Sequence, residues 1–217
     1  MKTFVRKFGG LLPLLLLPFL LTSCFDYVQS VGNKNGRQQI YYKVTFSKPL
    51  MEMIGENTQE SWLDDETLES FGNKASLRNI DTDLEFGAEI SADLNPKSLN
   101  PETDGELMDL LPRVSGKKCL IPFMPGEKSD ALDGMADSAG EETGAMMIAM
   151  LSTLKARVLV DKSLVPKMKS ACFIGNGVED YQIPFYDYGP AWCLEIPLNV
   201  LLERESYQLG TIVVTKK

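Results

Sequence analysis

Histidine is absent from this chain of 217 residues. Without an imidazole group the chain cannot form a Ser-His-Asp triad, a His-ligated zinc site or a histidine-based pH switch. Cysteine is scarce as well, and its four copies include no C-x-x-C pattern, so neither a thioredoxin-like site nor a zinc knuckle is supported. No metal or cofactor is therefore predicted.

Positive charge is also in short supply. The chain has 22 Lys and Arg against 30 Asp and Glu, which gives a formal net charge of −8. Because phosphate binding needs clustered Lys and Arg, this balance argues against nucleic acid as a partner.

Signals for catalysis are weak. Ser152 and Lys155 match the S-x-x-K string of penicillin-recognising enzymes, but the companion S-D-N and K-T-G strings are absent downstream. An enzyme that uses carboxylates, Lys or Ser is consequently the least favoured functional interpretation.

The first 24 residues have the pattern of an export signal. Residues 2–7 are basic, and Leu11 to Leu21 is apolar but too short and too interrupted by proline to span a bilayer. The string Leu21-Thr22-Ser23-Cys24 resembles the lipobox of bacterial lipoproteins. The resemblance implies that residues 1–23 are removed as a signal peptide and that Cys24 is acylated and anchored in a membrane. In such lipoproteins an aspartate directly after the acylated cysteine retains the protein at the inner membrane. Because Phe25 stands at that place, the resemblance implies the outer membrane of the cell envelope.

The remaining sequence predicts a tether followed by one domain. Residues 29–38 form a polar run with two glycines, and residues 24–38 are predicted to be a flexible tether. Residues 39–217 are predicted to form a single globular domain, with an acidic, glycine-rich loop at 126–144.

The predicted fold class is α+β. Apolar residues alternate over residues 39–47 and over the longer segment 80–94, as is typical of half-buried strands. Two or three short helices are expected to accompany an antiparallel sheet. The alternative is a β-sandwich or a partly closed barrel with helical insertions.

Most odd positions of the segment 80–94 are acidic and form a candidate binding face. Its members are Asp81, Asp83, Glu85 and Glu89. Such a face can contact a cation or a basic partner, or it can simply be a solvated surface.

Three cysteines remain if Cys24 is acylated. Cys172 and Cys193 lie in predicted strands on either side of one hairpin, so they are the candidate disulfide of an exported protein. The alternative is that all three are buried thiols.

The most apolar predicted helix spans residues 145–154. Its candidate contact residues for lipid or a protein partner are Met146, Met147, Met150 and Leu151. Because unbranched methionines adapt to irregular apolar shapes, this helix is either part of the core or a surface for lipid.

The sequence thus favours an anchored envelope protein with a non-enzymatic binding, assembly or structural role, with an envelope protein as its candidate partner. A carrier or sensor of lipid-like ligands is the second interpretation.

Overall fold

A computed structural model describes residues 25–49, 74–123, 153–174, 181–198, 200 and 210–217. These residues form twelve strands in chain order: β1 (Phe25–Lys34), β2 (Arg37–Ser47), β3 (Ala75–Asp81), β4 (Glu85–Leu94), β5 (Arg113–Ser115), β6 (Lys118–Phe123), β7 (Lys155–Asp161), β8 (Met168–Ile174), β9 (Tyr181–Gln182), β10 (Phe185–Asp187), β11 (Ala191–Pro197) and β12 (Gly210–Lys216). One short helix, α1 (Gly105–Asp109), and a 3-10 turn (Pro96–Ser98) join β4 to β5.

Seven strands form the larger sheet, in the order β10-β11-β7-β1-β2-β4-β3. Strand β1 lies in the middle, antiparallel to β2 and parallel to β7. Asn35 and Gly36 connect β1 to β2, and their φ angles of 55° and 79° are those that a tight hairpin turn requires. The first strand after Cys24 is therefore a central strand of the fold.

This position of β1 shows that the predicted tether over residues 24–38 is wrong. Tyr27, Gln29 and Val31 alternate along β1 and are buried, while the residues between them point to the other face. The prediction failed because Gln29 and its polar neighbours were interpreted as solvated chain. In the structure the amide of Gln29 has hydrogen-bond partners inside the core.

The predicted strand over residues 80–94 is two strands. The first of them ends just before Thr82, which begins a turn. The Oγ1 of Thr82 accepts hydrogen bonds from the backbone N–H groups of Leu84 and Glu85, at 3.3 and 2.9 Å. The chain reverses there, so β3 and β4 pair antiparallel. Within β4 the even positions Phe86, Ala88, Ile90 and Leu94 are buried, as the alternation predicts.

The smaller sheet has five strands, in the order β5-β6-β12-β8-β9. Its inner face packs on the inner face of the larger sheet and shares one core with it. The ring of Phe123 joins the two sheets, with its centroid 5.0 Å from that of Tyr27 and 5.3 Å from that of Phe173.

The α+β prediction is contradicted. Strands account for 64% and helices for 10% of the part of the chain that is described. The partly closed barrel is wrong too, because the described strands remain in two separate sheets. The described part contains α1 as one short helix, whereas the helix predicted at 145–154 lies almost wholly outside the described residues.

A buried polar network also holds the two sheets together. Gln29 is fully buried, accepts a hydrogen bond from the hydroxyl of Tyr27 and donates to the Tyr42 hydroxyl and to the Pro122 carbonyl, at 3.2 and 2.7 Å. The Tyr42 hydroxyl in turn donates to the carbonyl of Leu110, just after α1. Burial raises the pKa of Tyr42, so its phenol stays neutral and remains a donor.

Replacing Gln29 by leucine is expected to destabilise the fold by about 1–3 kcal/mol, because the Pro122 carbonyl and both tyrosine hydroxyls lose a buried partner. Urea unfolding measures this change. Gln39→Leu is the matched control, since Gln39 is exposed on the adjacent strand. Equal losses for the two variants would contradict a stabilising role of the network.

Candidate functional site

The end of the larger sheet at which β1 begins is the first candidate site, because Cys24 directly precedes it. Phe25 pairs with Phe46, and Phe46 pairs with Phe86, so three aromatic residues lie in a row across β1, β2 and β4. Their ring centroids are 5.1 and 5.9 Å apart along the row. We call this end, defined by Phe25, Phe46 and Phe86, the Cys24 rim.

Two further strands have one end near the Cys24 rim. Strand β7 begins there, because Ala156 pairs with Tyr27 in the parallel register. Strand β6 also ends near this rim. Its last residue, Phe123, packs against Tyr27 and pairs with Gly210 of β12. The candidate contact residues Met146, Met147, Met150 and Leu151 lie outside the described residues. The described chain resumes at Thr153, and β7 begins at Lys155 on this rim.

The predicted Cys172–Cys193 disulfide is not formed. Cys119, Cys172 and Cys193 are all thiols. Cys172 alternates with the core residues Ala171 and Phe173 and therefore faces away from the core of the smaller sheet, where its thiol contacts the carbonyl of Val213. Cys193 lies on the outer face of the larger sheet, opposite Tyr186. The sequence indicated neighbouring strands, but the chain crosses between sheets from β9 to β10.

Two of these thiols are also poor nucleophiles. Burial raises the pKa of Cys119 and of Cys193, which keeps both protonated at neutral pH. Their location is that of small apolar residues rather than of reactive groups.

The four candidate acids do not form one continuous face. Asp81 ends β3 and pairs with Lys48, Asp83 lies in the turn after it, and Glu85 begins β4. Glu89 lies further along β4 and pairs with Arg78 across the strands, at 2.5 Å. Within the described ranges no three metal-ligating side chains come together.

Three other carboxylates have shifted pKa values. Hydrogen bonds from Arg37, Lys74 and Lys162 lower the pKa of Asp93, Asp104 and Asp187, respectively. Each of these carboxylates is therefore ionised at neutral pH and held in an ion pair. None of the three is a protonated acid suited to donating a proton.

No protein-family model matches the chain, and no curated protein matches it. In the described parts of the chain, no helix is long and apolar enough to cross a bilayer.

A second candidate site is an open groove of about 440 Å³ between the edges of the two sheets. Lys169, Gln182 and Tyr186 supply its polar groups, and Ile183 and Phe185 are among its apolar lining residues. The groove exists because the chain crosses between sheets here: Ile183 donates its backbone N–H to Ala171 of β8, and the Pro184 carbonyl accepts from Glu195 of β11. Sequence reasoning missed this site because it depends on how two separate sheets approach each other.

Proposed function

We propose that the chain is a lipid-anchored protein of the bacterial cell envelope with a binding, assembly or structural role, attached through an acyl group on Cys24. The outer membrane is the proposed location. The lipobox-like string Leu21-Thr22-Ser23-Cys24 is the sequence basis of this proposal.

The observation that carries the proposal is that Phe25, the residue directly after Cys24, is paired with Phe46 of β2. Every described strand follows Cys24, so cleavage after Ser23 would leave all twelve described strands intact. Cys24 directly precedes Phe25, which lies at the Cys24 rim of the sheet and not halfway along a strand. Acylation of Cys24 would therefore modify no residue of β1.

Anchoring of this kind leaves no flexible spacer between the membrane and the fold. Strand β1 is paired along its whole length with β2, from Phe25 to Lys34. The Cys24 rim, with its aromatic row, would therefore lie at the bilayer surface. Two or more acyl chains on the mature amino terminus would make this attachment stable.

Substitution of Cys24 by serine is expected to abolish incorporation of labelled palmitate in bacterial cells, because the acylated thiol is gone. Gel fluorography after metabolic labelling measures the incorporation. Cys172→Ser is the matched control and should label like the unchanged chain, since its thiol lies in a strand of the folded domain. Equal labelling of the Cys24→Ser chain and the unchanged chain would refute the proposal.

A further inference from the structure

Six lysines of this acidic protein cluster at one end of the smaller sheet. They lie at the turn between β5 and β6 and the start of β6, at the start of β8 and just before it, and at the end of β12: Lys117, Lys118, Lys167, Lys169, Lys216 and Lys217. The backbone places them side by side, because the N–H of Lys216 donates to the Lys117 carbonyl at 2.8 Å and that of Lys217 to the Lys167 carbonyl at 3.1 Å. We call these six residues the lysine cluster.

The lysine cluster differs from most other cations of the described chain in its lack of acidic neighbours. Nine other Lys and Arg residues form ion pairs, whereas no cluster member pairs with an acid of the described part. Five of the six are exposed, and Lys216 is half-buried. Like charges held together without counter-charges are unfavourable, so the cluster is suited to an anionic partner.

The groove between the two sheets begins at this cluster. Lys169 belongs to both, since it is one of the lining residues of the groove. Tyr186 is 50% exposed and offers an aromatic surface, while Gln182 offers an amide that both donates and accepts. One continuous surface therefore combines cations, an aromatic ring and a neutral hydrogen-bonding group.

We propose that this surface binds a carbohydrate chain that carries carboxylate or phosphate groups. The anionic groups contact the lysine cluster, and a sugar ring lies in the groove, with an apolar face against Tyr186 and hydroxyls near Gln182. A fully charged polymer such as duplex nucleic acid suits the surface less well. It carries a charge every 1.7 Å or so, and the net charge of −8 repels whatever extends past the cluster.

The position of the cluster also argues against the anchoring membrane as its partner, a step that rests on the proposed acylation of Cys24. Ser163 accepts a hydrogen bond from the N–H of Asn33, near the far end of β1, and Lys167 follows four residues later. The ten residues of β1 extend for about 30 Å. That exceeds three Debye lengths at physiological ionic strength, about 8 Å each, so charges at the anchoring bilayer are screened from the cluster.

The test uses the full chain with Cys24→Ser, so that its result does not depend on acylation. Isothermal titration compares three probes of equal length: an oligogalacturonate, a neutral malto-oligosaccharide and an oligoglutamate. Binding of the oligogalacturonate at least about tenfold tighter than the other two supports the proposal. Equal binding of the oligoglutamate, or tighter binding to phosphatidylglycerol vesicles, would overturn it in favour of a peptide or a lipid surface.

Single substitutions then locate the site. Lys169→Ala and Tyr186→Ala should each weaken oligogalacturonate binding about tenfold, and Lys169→Arg should retain it. Lys97→Ala is the matched control, because Lys97 is an exposed lysine on the 3-10 turn outside the cluster. Urea midpoints confirm that each variant is folded. Unchanged affinity in folded Lys169→Ala and Tyr186→Ala would refute the site.

Discussion

Replacing Phe123 by alanine is expected to destabilise the protein by about 3–5 kcal/mol. The Phe123 side chain is fully buried and touches Tyr27 of the larger sheet and Phe173 of the smaller one. Its removal leaves a cavity where the two sheets meet, and a closely packed core fills such a cavity only partly. The loss therefore combines missing apolar burial with missing contacts between the sheets.

Chemical denaturation monitored by circular dichroism measures this loss. Val114→Ala is the control on the neighbouring strand β5, because Val114 is 50% exposed and should change stability by no more than about 0.5 kcal/mol. A loss below about 1 kcal/mol for Phe123→Ala would show that the two sheets do not depend on this contact.

Local alternation predicted several strands correctly. The strand predicted over residues 39–47 is confirmed as β2, with Ile40 and Tyr42 in the core. Four of the five even positions of β4 are buried as well, and Ala92 is partly buried. In these strands apolar and polar residues alternate with a period of two, and the two faces of a strand have different surroundings, so sequence and burial agree at these positions. Thr45 of β2 and Gly87 of β4 are exceptions, since both are buried at the alternate positions.

Strand β1 could not be predicted in this way, because its buried positions include a polar residue. Gln29 is stable inside the core only because Tyr27, Tyr42 and Pro122 supply its hydrogen bonds. Pro122 lies 93 positions away in the sequence, on the other sheet. In the sequence, a buried glutamine of this kind cannot be distinguished from a solvated one, because its hydrogen-bond partners are distant along the chain. The dipeptide Asn35-Gly36 was the available signal for the hairpin.

The candidate sites also differ in whether a local sequence signal could predict them. The lipobox-like string is local, so its consequence for Cys24 could be predicted from sequence, and it remains a proposal. The groove at Lys169 and Tyr186 depends on the approach of two sheet edges, and the lysine cluster depends on three separate segments that meet. The pairs Lys117-Lys118 and Lys216-Lys217 were visible in the sequence, but nothing local indicated that they are neighbours.

Replacing Gly87 by alanine is expected to be among the most destabilising single substitutions in the larger sheet. Gly87 lies in β4 between Thr45 of β2 and Ile80 of β3, with a φ of 156°. A Cβ atom at this position would lie 2.0 Å from the carbonyl oxygen of Val44 and 2.9 Å from the Cα of Thr45. Both are backbone atoms, so the strands must separate to admit the methyl group.

Two costs combine in Gly87→Ala: about 1–3 kcal/mol for a side chain in this backbone region and about 1–3 kcal/mol for the overpacking. Gly105→Ala is the matched control, because a Cβ there meets nothing within 4 Å and Gly105 begins α1. That control should change stability little, since alanine favours helix. Thermal unfolding of the two variants measures the difference between their unfolding temperatures. If Gly87→Ala unfolds at the same temperature as Gly105→Ala, then β2 and β4 do not approach as closely as the pairing of Thr45 with Gly87 requires.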